Sequence, residues 1–468
     1  MRSSAQASVP LTLPYDELAV TGTYTGDPGS LFRIDTFLGA AGSPSDLMRV
    51  GTATAGQSGI VVNDTNSGPG VFNPNGIEVV RVESALGGNT DADDFTLIGG
   101  PIQKDLWIFD LALDDTRANP GRANADVHVL YSRPSDVVQF TPYFATGALT
   151  AFHSSLEPWI DRQQALADTL ASNGGGTGSL KDAPMARSGT FVDLWVSPYG
   201  SRRSEENTSK VTFFGDTFST RTDYDQSTYG IQAGVDLISI QDDRSALMGG
   251  VFGGLLQSSV TPDAIAVSGE YEGGSVGAYA AYVQGGFSLS GVVKADFLDF
   301  DWKAPALGLD ASSEVETYGG RLEAAYKHLL GYSGSWLQPY ANVTFANSSW
   351  DQFSVLATTF AIDDNESLLG RAGLRLGSDL KYDEGQHVKV YVGARVVYEF
   401  DEENTATIQS GGFDLPLVHE VDQTSLEVQG GFKFEDMPSG LSVSINSSGR
   451  FSGDTEEYGG RATFNLQF

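Results

Sequence analysis

The most constraining feature of this chain is a strand-length pattern in which apolar residues alternate with polar or charged ones. From His387 to Phe400, every second position starting at Val388 is apolar, whereas the positions between them include Lys389, Arg395 and Glu399. Because the side chains of a β-strand point alternately to its two faces, this segment has one apolar and one charged face. Such a strand suits a transmembrane barrel with lipid outside and a wet lumen inside.

The end of the sequence follows the same pattern up to its final residue. Ala462, Phe464, Leu466 and Phe468 fall on one face of residues 461–468, and polar residues fall on the other. In water the apolar face would need a protein core, but in an outer membrane it can meet lipid. We therefore expect a barrel strand that closes the chain.

Twelve alternating segments can be counted in residues 190–468. They lie near 190–200, 226–240, 244–257, 272–283, 286–300, 316–329, 333–346, 366–378, 386–400, 423–435, 439–449 and 457–468. An even strand number is the rule for single-chain bacterial barrels, and it places both ends of the barrel on the periplasmic side. The long connections at 201–226, 301–315 and 350–366 are predicted to be extracellular loops.

Composition excludes several classes of function. The net charge of −32 opposes binding to nucleic acid, which requires a basic surface. The chain has no cysteine, so disulfides and thiolate metal sites are excluded. The five histidines show no metal-ligand spacing, and we expect no cofactor. No window of about 19 apolar residues is present, so no transmembrane helix is expected.

A helix is predicted immediately before the barrel. The apolar residues of 156–170 recur on one helical face, and Pro158 is acceptable only in the first turn. A helix from about Glu157 to Ala171 would be roughly 22 Å long, close to a barrel's apolar belt of about 25 Å. We therefore expect the linker, residues 136–189, to place this helix in the lumen, followed by a glycine-rich turn at 173–179.

Residues 1–135 contain short strands separated by Gly, Asn and Asp. These strands are predicted at Leu31–Thr36, Leu47–Val50, Gly59–Val62, Ile77–Val82, Phe95–Ile98, Leu106–Leu111 and Val127–Tyr131. Their length and punctuation predict coils of a β-solenoid, here the C-terminal stretch of a parallel β-helix with its cap. The first residues contain no apolar stretch of signal-peptide length, so we expect a C-terminal fragment of a longer protein or a truncated reading frame.

These segments resemble the C-terminal half of bacterial autotransporters, the type V secretion proteins. In the N-terminal part, Gly76–Val82 looks like a last passenger rung, and Trp107–Leu111 looks like the capping, autochaperone-like region of that family. In the barrel, Tyr229–Leu237, Trp336–Ala341 and Gly370–Arg375 resemble strand motifs of the family. The resemblance covers nearly the whole chain.

The resemblance implies an all-β protein with three parts: the end of a β-helical passenger and its cap (1–135), a linker with a pore helix (136–189), and a 12-stranded antiparallel transmembrane barrel (190–468). The barrel would export its own passenger segment and anchor it at the surface of the bacterial outer membrane. Phe464, Leu466 and Phe468 would form the signal read by the barrel-assembly machinery. Periplasmic chaperones and outer-membrane lipid would be further partners of a monomeric barrel.

Other functions are weighed against this one. The chain could be a surface adhesin or binding module whose barrel is only an anchor, or a passive porin, although a plugging helix argues against a porin. We expect no enzyme, since Ser275 in Gly273–Gly277 matches a hydrolase pattern but begins a barrel strand instead of a strand-to-helix turn. Asp91–Asp94 lacks the glycine and glutamate of a calcium loop.

Charged residues on inward faces of the barrel are candidates for holding the helix. They are Arg321, Arg371, Arg375, Lys389, Arg395 and Arg461, and the acids that the helix offers are Glu157, Asp161 and Asp168. Opposite charges attract more strongly in a confined pore than on an open surface. Either some of these residues pair across the lumen, or the cations pair only with wall acids such as Glu323, Asp296 and Glu399.

Asn173 is a candidate for self-cleavage. Some autotransporters release the passenger by asparagine cyclisation inside the pore, and Asn173-Gly174 is a susceptible bond. Our topology places Asn173 at the periplasmic end of the lumen and not at its middle, so an uncleaved linker is favoured.

Overall fold

The computed structural model describes residues 15–83, 88–116, 120–174, 193–241, 245–331, 334–383, 386–436 and 439–467. Short N-terminal strands, a long helix and a C-terminal barrel follow one another along the chain.

The N-terminal part consists of short strands with two 3-10 turns, Ala92–Asp94 and Pro120–Arg122. The strands are β1 (Glu17–Val20), β2 (Tyr24–Thr36), β3 (Leu47–Val50), β4 (Thr54–Asp64), β5 (Ile77–Glu83), β6 (Phe95–Leu97), β7 (Ile102–Lys104), β8 (Trp107–Asp114) and β9 (Ala125–Pro134). Strands β1, β3 and β5 pair in parallel, and so do β2, β4 and β6. Val20, Val50 and Val82 stand in register across the first stack.

The stack of β1, β3 and β5 ends at antiparallel strands. β9 pairs with β5 and β8, and β7 pairs with β8, all antiparallel. The strands predicted for this part are therefore present and form two parallel stacks, the first of which has an antiparallel end. The predicted C-terminal stretch of a parallel β-helix stays a prediction.

Two helices follow, α1 (Asp136–Gln139) and α2 (Thr141–Gly174). Helix α2 begins well before the predicted start near Glu157, and Pro158 lies in its interior. The first half was not predicted because nearly every side chain from Thr141 to Leu156 is buried, and a helix buried on all sides has no polar face to create a periodic stripe. Among the described residues, no helix combines the length and apolarity needed for a membrane crossing.

The remaining strands follow the helix in sequence. They are β10 (Asp193–Glu205), β11 (Thr208–Phe213), β12 (Asp216–Arg221), β13 (Tyr224–Gln241), β14 (Ser245–Pro262), β15 (Ser268–Gln284), β16 (Phe287–Ala304), β17 (Leu309–Tyr326), β18 (His328–Leu329), β19 (Ser335–Trp350), β20 (Phe353–Val355), β21 (Thr358–Ile362), β22 (Asn365–Asp383), β23 (Gln386–Glu399), β24 (Glu403–Ser410), β25 (Phe413–Glu420), β26 (Thr424–Asp436), β27 (Leu441–Phe451) and β28 (Thr455–Gln467).

Twelve of these strands form a closed antiparallel barrel: β10, β13–β17, β19, β22, β23 and β26–β28. The barrel closes because β10 pairs with both β13 and β28, and β17 pairs with β19. Each predicted segment corresponds to one barrel strand, so the predicted number of twelve is confirmed.

The barrel wall is apolar outside and polar inside. In β23, Val392 is 64% exposed whereas Arg395 is 3% exposed. In β28, Phe464 and Leu466 are exposed whereas Thr463 is buried. This arrangement is the reverse of a sheet in water, where the apolar face is the buried one. The alternation seen in the sequence therefore distinguishes residues on the outer face from residues that face the lumen.

The two ends of the barrel differ in their connections. At one end, three hairpins extend beyond the wall: β11–β12, β20–β21 and β24–β25. The prediction of a long loop at 301–315 is wrong. Strand β16 continues to Ala304 and β17 begins at Leu309, so only a short turn joins them. The outward acids Asp299 and Asp301 belong to strand and not to loop. The N-terminal part lies on this hairpin end.

Candidate functional site

Helix α2 lies inside the barrel, where side chains of the wall bind its backbone. Gln226 Nε2 donates to the carbonyl oxygen of Gly147 at 2.8 Å. Gln232 Nε2 donates to the carbonyl oxygen of Ser155 at 2.6 Å. A carbonyl has two lone pairs, so a helical carbonyl can accept such a bond in addition to the one within the helix. The wall thus binds the backbone of the helix at two levels, and these bonds do not depend on the side chains of the helix.

Gly147 marks the closest approach of the helix to the wall. A β carbon at this position would lie 2.8 Å from Val260 Cγ2 and 2.9 Å from the Tyr271 hydroxyl oxygen. The same Tyr271 hydroxyl donates to the carbonyl oxygen of Phe144 at 2.6 Å. A larger residue at position 147 would therefore have to move the helix away from its hydrogen-bond partner.

Glu157 lies among arginines from three different strands. Its Oε1 is 2.9 Å from Arg321 Nη2 and 3.6 Å from Arg395 Nη2. Its Oε2 is 3.6 Å from Arg461 Nη1. All three arginines are buried, and charges attract more strongly there than at an open surface. The helix therefore places one carboxylate at a strongly positive part of the lumen.

Arg371 joins these arginines through a shared hydroxyl group. Arg371 Nη1 donates to Thr344 Oγ1 at 2.7 Å, and Arg321 Nε donates to the same oxygen at 3.0 Å. We call Arg321, Arg371, Arg395 and Arg461 the arginine cluster.

The other two predicted lumen cations contact acids of the wall. Arg375 Nη1 is 3.2 Å from Glu323 Oε1, and its guanidinium lies 3.7 Å from the centre of the Tyr340 ring. Lys389 Nζ is 3.0 Å from Glu435 Oε2. Contacts of both kinds considered from the sequence, to the helix and to wall acids, thus occur in one lumen.

The two further wall acids named from the sequence also have wall partners. Asp296 lies 2.8 Å from Lys294 Nζ. Glu399 accepts a hydrogen bond from Ser367 Oγ at 2.6 Å. Neither carboxylate is paired with an arginine in these contacts, so neither competes with Glu157 for the arginine cluster.

Not every predicted site residue can be placed. The C-terminal positions Phe464 and Leu466 point outward, and their backbones pair with Val196 and Leu194 of β10. The side chains that lie outside the described residues are those of Asp161, Asp168, Asn173 and Phe468. Their predicted roles therefore stay predictions.

A second buried network surrounds the helix near the hairpin end. His419 Nε2 is 2.7 Å from Glu205 Oε1, and its Nδ1 is 2.7 Å from Thr146 Oγ1. Asn404 Nδ2 donates to the same threonine oxygen at 2.8 Å, and the Tyr143 ring stacks on the His419 ring at 4.0 Å. Sequence reasoning missed this network because Glu205 and His419 are 214 positions apart, and no local pattern links them.

Aromatic residues hold the helix at a third level. The ring of Trp159 packs on Tyr279 with centroids 4.3 Å apart. Trp195 Nε1 donates to the Tyr279 hydroxyl at 2.9 Å, and that hydroxyl in turn donates to Asp236. A wall-fixed aromatic ring thus supports the helix next to Glu157.

The N-terminal part packs on the hairpins of the barrel. The ring of Phe72 lies 4.9 Å from that of Trp107 and 5.9 Å from that of Phe213 in the β11–β12 hairpin. The backbone N–H of Phe72 donates to Ser410 Oγ at 3.2 Å, and Trp107 Nε1 donates to Thr358 Oγ1 at 3.1 Å. All three hairpins therefore contribute to one contact surface at the mouth of the lumen.

His128 is a buried titratable group within the N-terminal part. Burial lowers the pKa of His128 to about 4, although the nearby carboxylates of Asp94 and Asp126 act in the opposite direction. Its Nε2 lies 2.9 Å from Thr90 Oγ1, and its ring meets Phe95 edge-on at 4.8 Å. The imidazole is therefore neutral at pH 7 in the folded state.

The segments that were compared with a hydrolase nucleophile and with a calcium loop have structural roles in the fold. Ser275 lies inside β15, opposite Asp296 of β16, and not on a strand-to-helix turn. Asp94 accepts a hydrogen bond from Thr90 Oγ1 at 3.2 Å. Within the described part of the chain, no group of three His, Cys, Asp or Glu side chains is arranged to hold a metal ion.

The likeness to curated proteins covers part of the chain. The pertactin autotransporters of Bordetella bronchiseptica (strain RB50) and Bordetella parapertussis (strain 12822) are 28% and 27% identical to it over 141 residues. The aligned segment covers 29% of this chain and 15% of each relative. The chain therefore spans only a small share of the length of the curated relatives it matches.

Among solved structures, the similar ones include three autotransporter barrels. The transport unit of AIDA-I from Escherichia coli is 14% identical with a TM-score of 0.49, covering 65% of this chain and 98% of that one. The β domain of the Bordetella autotransporter Brka is 18% identical with a TM-score of 0.45, covering 60% and 100%. The translocator domain of NalP from Neisseria meningitidis is 13% identical with a TM-score of 0.46, covering 68% and 98%.

Family models give the decisive match. The type 1 autochaperone domain model matches residues 3–104, and the autotransporter β-domain model matches residues 194–447. The second match covers more than half of the chain and coincides with the barrel described above. The chain therefore belongs to the autotransporter β-domain family, and its barrel is located in the outer membrane.

Proposed function

We propose that this chain exports its own N-terminal passenger segment through the barrel and keeps it attached at the surface. The observation that carries the proposal is the path of the chain. Helix α2 runs inside the barrel and links the wall to strands that pack on the hairpin end. A segment threaded in this way marks the route by which the residues before it left the periplasm.

The proposed role of Glu157 is to seat the helix once export is complete. Its closeness to Arg321, Arg395 and Arg461 supports this role, because a buried carboxylate has a strong preference for a position beside several guanidiniums. Asp161 and Asp168 are proposed to add to the same seat. The linker is proposed to stay uncleaved at Asn173.

The partners of the barrel follow from its outer face. Exposed apolar side chains support contact with outer-membrane lipid. We propose that Phe464, Leu466 and Phe468 form the signal for the barrel-assembly machinery, and that periplasmic chaperones hold the chain before assembly. Because a closed barrel has no free strand edge, we propose a monomer. The chain itself is proposed to catalyse no reaction, and no observation favours the adhesin alternative.

Export can be tested with the full chain carrying an added signal peptide. We expect a compact band in outer-membrane fractions that shifts on boiling, and removal of residues 15–134 by protease added to intact cells. A foreign passenger fused before residue 20 should also become accessible to the protease. A matched variant without β28, residues 455–467, cannot close the barrel and should lose both signals. A soluble, heat-insensitive product from the full chain would refute the proposal.

A further inference from the structure

Arg321, Arg371 and Arg395 of the arginine cluster carry more positive charge than the described carboxylates around them. Arg395 Nη2 lies 2.5 Å from Glu427 Oε1 in addition to its longer contact with Glu157. Among the described residues, Glu157 lies within 4 Å of Arg321 and Arg395, Glu427 lies within 4 Å of Arg395, and no acid lies within 4 Å of Arg371. Two carboxylates thus face three buried guanidiniums, and Arg461 also contacts Glu157.

Several N–H groups of these arginines also lack a hydrogen-bond acceptor among the described residues. In the part of the chain that the structure describes, no acceptor meets Arg321 Nη1, Arg371 Nε, or Nε and Nη1 of Arg395. All three side chains are more than nine-tenths buried. Leaving a charged donor buried without an acceptor is costly, so these groups call for a further negatively charged or polar atom.

Glu157 by itself does not supply enough acceptors. Its separation of 3.6 Å from Arg395 exceeds the range of an N–H···O hydrogen bond. Its short contact in the cluster is the one with Arg321 at 2.9 Å. Arg371 Nη1 donates to the neutral hydroxyl of Thr344 and not to a carboxylate. Planar guanidiniums with several N–H groups suit a compact anion that they can surround.

We propose that the arginine cluster binds a small inorganic anion, of the size of chloride, beside the Glu157 carboxylate. The proposal rests on the seating of the helix by Glu157 and adds to it a second, exchangeable negative charge. The bound anion would balance the remaining guanidinium charge and accept the leftover N–H groups. The seat of the helix would then tighten as the anion concentration rises.

The test measures the heat-modification midpoint of the purified full chain in neutral detergent. Sodium chloride replaces sodium gluconate at constant ionic strength, because gluconate is a much larger anion than chloride. A ligand that binds only the folded state raises the midpoint in proportion to the logarithm of its concentration above half-saturation. We expect this rise in the wild-type chain and its loss in Arg371→Gln.

A matched control is available on the same wall. Arg450 Nε donates to Ser425 Oγ at 2.7 Å, but Arg450 lies opposite Glu427 and Glu457 in register. Arg450→Gln should therefore keep the chloride dependence. If Arg371→Gln fails to fold, Arg371→Lys keeps the charge with fewer donors, and it should require several-fold more chloride for half of the effect.

The outcomes separate this proposal from the proposed function. A wild-type midpoint that does not respond to chloride would refute the anion site, and so would an equal response in Arg371→Gln and wild type. In either case the seating role of Glu157 is judged separately, by the opening of the pore in Glu157→Gln. Bromide in place of chloride gives a second readout, since anomalous scattering in a crystal should locate the ion between Arg321, Arg371 and Arg395.

Discussion

Replacing Glu157 with glutamine removes one charge from the lumen and keeps the shape of the side chain. For the separations of 2.9, 3.6 and 3.6 Å, an effective dielectric constant of about 20 gives attractions of roughly 6, 5 and 5 kcal/mol. The cost of removing these groups from water offsets most of that sum, and deleting one partner of a buried pair costs about 3–5 kcal/mol overall. If about 3 kcal/mol is lost, the state in which the helix has moved away from the arginine cluster becomes about 100-fold more populated.

The assay is the open fraction of single channels formed by the full chain in planar bilayers. Glu157→Gln should open about 100-fold more often than the wild type. The control is Glu399→Gln, because Glu399 is a buried wall acid whose contacts are with Ser367 and the backbone N–H of Leu368. It should leave the open fraction nearly unchanged. Equal open fractions in Glu157→Gln, Glu399→Gln and wild type would refute the reasoning.

Three further predictions concern other parts of the molecule. Phe72→Ala removes a buried ring at the hairpin surface, at a cost of about 3–5 kcal/mol. Protease should therefore remove the N-terminal part from cells faster. Leu31→Ala changes an exposed side chain and should leave the rate of this proteolysis unchanged. Gly147→Val places a β carbon 2.8 Å from the wall and should lower the heat-modification midpoint, whereas Gly274→Val, where the nearest atom is 3.6 Å from the added carbon, should lower it less. The pKa of His128, lowered from 6.5 to about 4, means that the unfolded state binds more protons between these values. The free energy of unfolding should therefore fall by about 3 kcal/mol in total as the pH drops from 6.5 towards 4. We expect protease to remove the N-terminal part faster at about pH 5 than at pH 7, and this difference should disappear in His128→Asn.

The barrel strands could be predicted from the sequence because the two faces of the wall meet different surroundings. Val392 and Arg395 lie three positions apart on opposite faces, one exposed and one buried, and the period of two makes this difference visible in a single segment. The turn between β16 and β17 was harder to predict. Asp299 and Asp301 lie on the outward face near the hairpin end, so acidic residues that resemble a loop continue the strand.

The contacts inside the lumen could be predicted only as candidates. Strand parity identifies Arg321 and Arg375 as inward-facing, but it does not say which of them faces the helix. That depends on the order of strands around the barrel and on the rotation of the helix, which place Arg321 beside Glu157 and Arg375 beside Glu323. Local sequence patterns contain no information about either quantity.

Two kinds of contact hold the helix, and they have different consequences for export. Gln226 and Gln232 donate to backbone carbonyls, which every residue of a passing chain also offers, so these bonds cannot distinguish one segment from another. Glu157 presents a carboxylate to the arginine cluster, and only a suitably placed acidic side chain can do so. We propose that the backbone bonds allow the chain to slide during export, whereas the arrival of Glu157 at the arginines stops the helix at this position.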